Sequence, residues 1–186
     1  MSNDDSEDTL LMYVNDVLAL EREIKEAVER QLEDEAVQDI PEAAEFFRQL
    51  LSSADTRHIA LGKLSETLGS GAGVIKETVA AAAGMLAGLY GKVRKHPVSR
   101  NLRDDYTALA LASTAYSMLY TTAIALRNEA TATLAQQHLR QLTPLIMGLS
   151  HIIPGVVVGE LAADFPDLDA QAAEAGRKMT AEAWSQ

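Results

Sequence analysis

The sequence predicts an all-α protein built on four long helices, and three observations predict it. Alanine and leucine dominate while aromatic residues make up only 5% of the chain, a composition that favours helices over sheets. Only five prolines interrupt the chain, nearly all of them where a helix can begin or end. Apolar residues recur at alternating steps of three and four in four separate stretches, which is the period of a helix face. At 186 residues the chain is long enough for one domain with a real core.

Residues 1–8 are acidic, lack an apolar run, and read as a disordered tail rather than a secretory signal. The first helix is expected from the N-cap Thr9 to about residue 32. Its stripe is Leu10, Val14, Val17, Glu21, Ile24 and Val28. Glu21 breaks that stripe. It either reaches the surface, pairs with a lysine or arginine, or belongs to a site. Residues 33–41 form a connection, with Pro41 suited to the first turn of a second helix and Glu42 and Glu45 suited to its dipole. That helix spans 41–68 and ends at Gly69, Ser70 and Gly71. Its expected inward stripe is Phe47, Leu51, Ala54, His58, Leu61, Ser65 and Leu68, with Asp55 three residues before His58. Counting outward from the connection at about 1.5 Å per residue puts Glu21 within a turn or so of Asp55 and His58.

The stretch G-S-G-A-G at 69–73 lacks the ending of a phosphate loop. Residues 74–91 read as an Ala/Gly-rich helix for close packing, with Lys76 and Glu77 against a membrane span. Lys92, Arg94, Lys95, Arg100 and Arg103 surround a loop containing His96 and Pro97, a basic surface first and an anion site second. A third helix is expected over about 102–128 with Asp105, Leu109, Ala112, Tyr116, Leu119, Ala123 and Leu126 inward, and with no acid in 116–122. A fourth begins near Glu129 and turns Ala135, His138, Leu142, Leu145, Leu149 and Ile152 inward. Pro144 should kink or interrupt it, and it should end near 153–154 with His151 as a C-terminal cap. Residues 142–158 are the most apolar of the chain, yet their prolines and glycines suit a buried segment or subunit interface better than a membrane helix. Residues 160–186 read as an acidic, amphipathic helical extension broken at Phe165 and Pro166.

The net charge is −11, with fifteen acids against three bases in residues 1–45 and six against eleven in 46–159. That sign disfavours nucleic acid as a partner. The absence of cysteine excludes disulfides, thiolate nucleophiles and Cys-ligated zinc, so the expected compartment is the cytoplasm.

Over about residues 10–158 this layout resembles the ferritin-like superfamily, and within it the bacterial stress-associated ferritin-like proteins of unknown biochemical function. The residues that carry the likeness are Glu21, the run Asp55, Thr56, Arg57, His58, and His138, set on two helical hairpins joined by a long crossover. The resemblance implies a ferritin-like four-helix bundle over residues 9–159, with a long crossover helix and the C-terminal segment 160–186 added. It also implies a reduced di-metal site in which Glu21, Asp55, His58 and His138 remain, while the glutamates of the third and fourth helices are absent. Besides an anion-binding or membrane-peripheral module on the basic loop, which the acidic total disfavours, two functions follow as expectations. One is a non-catalytic structural, stress-related or interaction protein, dimerising through its apolar C-terminal region. The other is a single iron, manganese or zinc ion on the four residues, supporting oxygen or peroxide chemistry. Equally expected is no metal at all, with His58 and His138 hydrogen-bonded to Tyr116 or Tyr120 in a dry polar network.

Overall fold

A computed structural model describes residues 3–69, 90, 95–169 and 171–185. The described chain is helical, with no strand among the described residues. In chain order the helices are α1 (Asn3–Leu32), α2 (Glu35–Gln38), α3 (Pro41–Leu68), α4 (Pro97–Ala125), α5 (Glu129–Ala162) and α6 (Ala172–Trp184). The four long helices α1, α3, α4 and α5 share one apolar core.

Their directions can be read from their polar contacts. Lys25 meets Asp55, Glu21 meets Arg57 and Asn15 meets Ser65, so α1 and α3 run antiparallel. Gln31 meets Asp105 and Glu21 meets Tyr116, so α4 is antiparallel to α1 as well. Tyr116 meets His138 while the start of α4 meets Glu160, which makes α5 antiparallel to α4. Helices α3 and α4 therefore run the same way, and the chain must cross from one end of the bundle to the other between them. Apart from Tyr90, the expected 74–91 helix lies outside the described residues.

The stripes of three helices are buried as expected. All six α1 positions from Leu10 to Val28 are at most 2% exposed. In α4 Asp105, Leu109, Ala112, Tyr116, Leu119 and Ala123 are fully buried, whereas Leu126, expected on the same stripe, lies just past the helix end and is half-buried. In α5 Ala135, His138, Leu142, Leu149 and Ile152 face the core, while Leu145 lies at its edge. Helix α3 departs from expectation. Its buried set includes Phe47, Leu50, Ala54, Arg57, Leu61 and Ser65, so Leu50 and Arg57 take the places expected of Leu51 and His58. Both registers fit a period of 3.6 residues. What selects this one is a counterion, because Arg57 meets the buried carboxylate of Glu21.

The element ends differ in several places. Helix α1 begins at Asn3, so residues 3–8, expected to be a disordered tail, form its first turns. Within the 33–41 connection α2 is a single capped turn that inserts Val37 into the core. Helix α4 starts at Pro97 and stops at Ala125, because Arg127 adopts a left-handed conformation and the Asn128 side chain caps α5 through the Thr131 amide. Neither Pro144 nor Pro154 ends α5, which runs unbroken to Ala162. Glu160, expected to open the extension, instead accepts hydrogen bonds from the Val98 and Ser99 amides at 2.7 and 3.1 Å. A carboxylate there meets both the orphan donors and the positive end of α4.

His151 is an exposed residue inside α5 rather than a cap. Its carbonyl accepts from Arg177 Nε of α6 at 3.1 Å. Helix α6 lies against α5 with Gly176 facing Pro154, where an added Cβ would stand 3.1 Å from the proline ring. Trp184 meets Tyr106 of α4 edge to face at 6.0 Å. Helices α4 and α5 are long and apolar enough, by length and composition, to cross a membrane. Their inward faces nevertheless carry Asp105, Tyr116 and His138, side chains that find polar partners inside the bundle.

Candidate functional site

Midway along the bundle each of the four long helices sends a polar side chain into the core. Helix α1 contributes Glu21, α3 Arg57, α4 Tyr116 and α5 His138, all 3% exposed or less. Arg57 grips Glu21 with two parallel bonds, Nε to Oε1 at 2.6 Å and Nη2 to Oε2 at 2.9 Å. This is the fork geometry in which arginine binds carboxylates most strongly. The remaining terminal nitrogen, Nη1, donates to Ser53 Oγ one turn earlier at 2.5 Å. Tyr116 donates its hydroxyl proton to Glu21 Oε1 at 2.9 Å. Its oxygen lies 3.2 Å from His138 Nδ1, with the two rings edge to face.

Donor counting fixes the tautomer of His138. The single Tyr116 proton is committed to a carboxylate, so the tyrosine oxygen can only accept from the imidazole. Nδ1 therefore carries the hydrogen. Burial, helped by the nearby Arg57 charge, lowers the His138 pKa to about 4, so the ring is neutral near pH 7. Burial and the Glu21 charge push Tyr116 upward, which keeps its phenol protonated. One cation, one anion and two neutral groups make an electrically neutral core. Its geometry orients four helices against one another.

No family model, curated protein or solved structure matches the chain.

The four sequence-derived candidates separate into three places. Glu21 and His138 belong to the buried network, linked through Tyr116. Asp55 points outward and bonds Lys25 Nζ at 2.6 Å. His58 sits half-buried beside the inward face, its Nδ1 enclosed and, among the described residues, without a partner. Among the described residues no three His, Cys, Asp or Glu side chains gather around a point where a metal ion could sit. The donor set at Glu21 does not fit such an ion either, because both carboxylate oxygens face a guanidinium, and a dication there would meet a like charge.

Arg57 is the member sequence reasoning passed over, read as part of the Asp55–His58 run and not as the inward residue. The signal that finds it is Glu21 itself. A glutamate fixed in an apolar stripe needs a cation, and Arg57 is the only lysine or arginine between residues 49 and 62.

A second polar cluster lies nearer the α1 C-terminus. Asp105 Oδ1 accepts from Tyr90 at 2.9 Å and from Gln31 Nε2 at 3.3 Å, while Asp105 Oδ2 and Gln31 Oε1 are buried without partners among the described residues. Burial raises the Asp105 pKa to about 7 against those two hydrogen bonds, with the neighbouring Asp104 adding to the rise. Of the basic cluster, Lys95 pairs with Asp164 at 2.7 Å and Arg103 with Asp104 at 2.6 Å, whereas Lys92 and Arg94 lie outside the described residues.

Proposed function

We propose that this chain is a ferritin-like helical-bundle protein whose di-metal position is held by an internal ion pair, and that its role is non-catalytic. In this reading it is a structural, stress-related or interaction protein of the cytoplasm, working as a homodimer. The observation that carries the proposal is the bidentate contact of Arg57 with both oxygens of Glu21. In a metal-dependent bundle the first-helix glutamate must present an oxygen to the ion. Here neither oxygen is available, and a cation is already supplied by the chain. The relative directions of α1, α3, α4 and α5, with a crossing between two parallel helices, support the ferritin-like part of the reading. Exposed Met147 and Val157 on α5 and Phe165 just beyond it support self-association through the apolar C-terminal region.

The test is metal content per chain after purification without chelator, and again after anaerobic incubation with ferrous iron, manganese or zinc. The proposal expects no metal whose binding depends on Glu21, and a dimer by sedimentation. About one ion per chain, lost in both Glu21→Ala and His58→Ala, would overturn it in favour of the single-metal centre.

A further inference from the structure

Helices α3 and α5 touch each other far less than the other neighbouring pairs of the bundle, and a groove of about 750 Å³ opens between them. That volume is comparable to small-molecule sites, in a groove that lies open to solvent along the bundle surface. We propose that this groove binds a small phosphate monoester carrying hydroxyl groups.

The anionic end is argued from the donors. Arg48 of α3 and Arg140 of α5 reach the groove from opposite walls. Among the described residues Arg140 has neither an ion pair nor a hydrogen bond to its side chain. Arg48 forms an exposed ion pair with Glu45 at 3.2 Å, of the kind that contributes little, and reaches Gln38 at 3.5 Å. Two guanidiniums against the single carboxylate of Glu45 make the groove locally positive on a chain of net charge −11. Ser53 supplies a third donor. Its oxygen already accepts from Arg57 Nη1, so its own proton is free for the groove, and the adjacent buried cation polarises that hydroxyl toward an anion. Three donors from two helices suit an oxyanion with three terminal oxygens better than a planar carboxylate, which a single arginine fork satisfies.

The hydroxyl end is argued from the acceptors. Gln141 lines the same groove with its Oε1 turned inward and, among the described residues, without a partner, so a rotation of this half-buried side chain presents the acceptor to a ligand. Pro144 has no N–H, so the Arg140 carbonyl loses its intrahelical donor on the same wall. The buried Gln141 oxygen is the costly one to leave unmet, since Arg140 itself is exposed. Inorganic phosphate near neutral pH keeps its few hydrogens on the anionic group itself, whereas a phosphorylated polyol carries hydroxyls that extend from the phosphate towards these acceptors.

The test is isothermal titration calorimetry at low ionic strength with glycerol 3-phosphate, inorganic phosphate and glycerol. Phosphatidylcholine vesicles with and without phosphatidic acid distinguish a lipid headgroup from a free metabolite. Saturable binding of glycerol 3-phosphate, one per chain, is expected, weaker for inorganic phosphate and absent for glycerol. Arg140→Gln, at an exposed position, should weaken it by about tenfold or more, since a charge-assisted contact is lost. Lys178→Gln on α6 should leave it unchanged, and Gln141→Leu should bring glycerol 3-phosphate down to the level of phosphate. Binding confined to phosphatidic acid vesicles with the same Arg140 dependence supports the site with a lipid source. No saturable binding to any probe, or full affinity in Arg140→Gln, overturns the site. Equal affinity for phosphate and glycerol 3-phosphate overturns the hydroxyl half of the proposal.

Discussion

Two polar clusters are sunk into one apolar core, about 16 Å apart along α4 at 1.5 Å per residue, and they are satisfied to different degrees. At Glu21 every carboxylate oxygen and all three guanidinium nitrogens of Arg57 have a partner, and charge cancels within the cluster. At Asp105 one oxygen takes two bonds and the other takes none, and among the described residues no cation is bonded to the carboxylate. The first cluster keeps its charges because they are paired, whereas the second sheds its charge by holding a proton, which is what the raised pKa expresses. A closed network specifies how four helices meet. An open one makes stability answer to pH.

The largest separation of the two should come from neutralising each carboxylate in turn. Glu21→Gln leaves the Arg57 charge buried and unpaired and should cost about 3–5 kcal/mol in denaturant unfolding. Asp105→Asn, at a site already neutral over much of the pH range, should cost far less, and above pH 7 it should stabilise the protein. Equal losses at the two sites would erase the distinction. Next in size is Tyr116→Phe, which removes a hydrogen bond to a charged group and should cost about 1.5–3 kcal/mol.

A smaller and more specific effect lies in the pH profile. Asp105 binds its proton more tightly folded than unfolded, so its contribution is present below about pH 4 and is lost as pH rises toward about 7. His138 binds its proton less tightly folded than unfolded, so its contribution runs the other way, rising from about pH 4 to about 6.5. In the parent protein the two trends oppose each other. Melting temperatures of Asp105→Asn should therefore rise across that interval, and those of His138→Gln should fall. Identical profiles in the two variants would remove the electrostatic account of both clusters. Smallest of all, Asp55→Asn breaks only the rim contact with Lys25 and should leave the unfolding transition where it was.

Three of the four helix stripes were legible from apolar spacing alone, because residues such as Val14, Leu109 and Leu142 admit one inward face. Helix α3 was not, since positions 57 and 58 are neighbours on that face and hydrophobicity ranks histidine above arginine. Only the partner across the core reverses that ranking, and Glu21 announced the need without naming who met it. The continuation of α5 through Pro144 and Pro154 was illegible for a different reason. A proline's cost depends on whether the carbonyl it strands finds water or a groove, which local sequence does not encode. His138 with Tyr116 was legible as a polar pair. Gln31 was not, because a glutamine late in an amphipathic helix ordinarily faces water.

The most direct test of the central claim, that Glu21 is the counterion of Arg57, is a double-mutant cycle by equilibrium denaturant unfolding. It compares the parent, Glu21→Gln, Arg57→Met and the double variant. Each single change should cost about 3–5 kcal/mol, and the double variant should lose less than either, because no buried charge is left without its partner. Losses that simply add, or a Glu21→Gln protein as stable as the parent, would contradict the ion pair as the organising contact of the bundle.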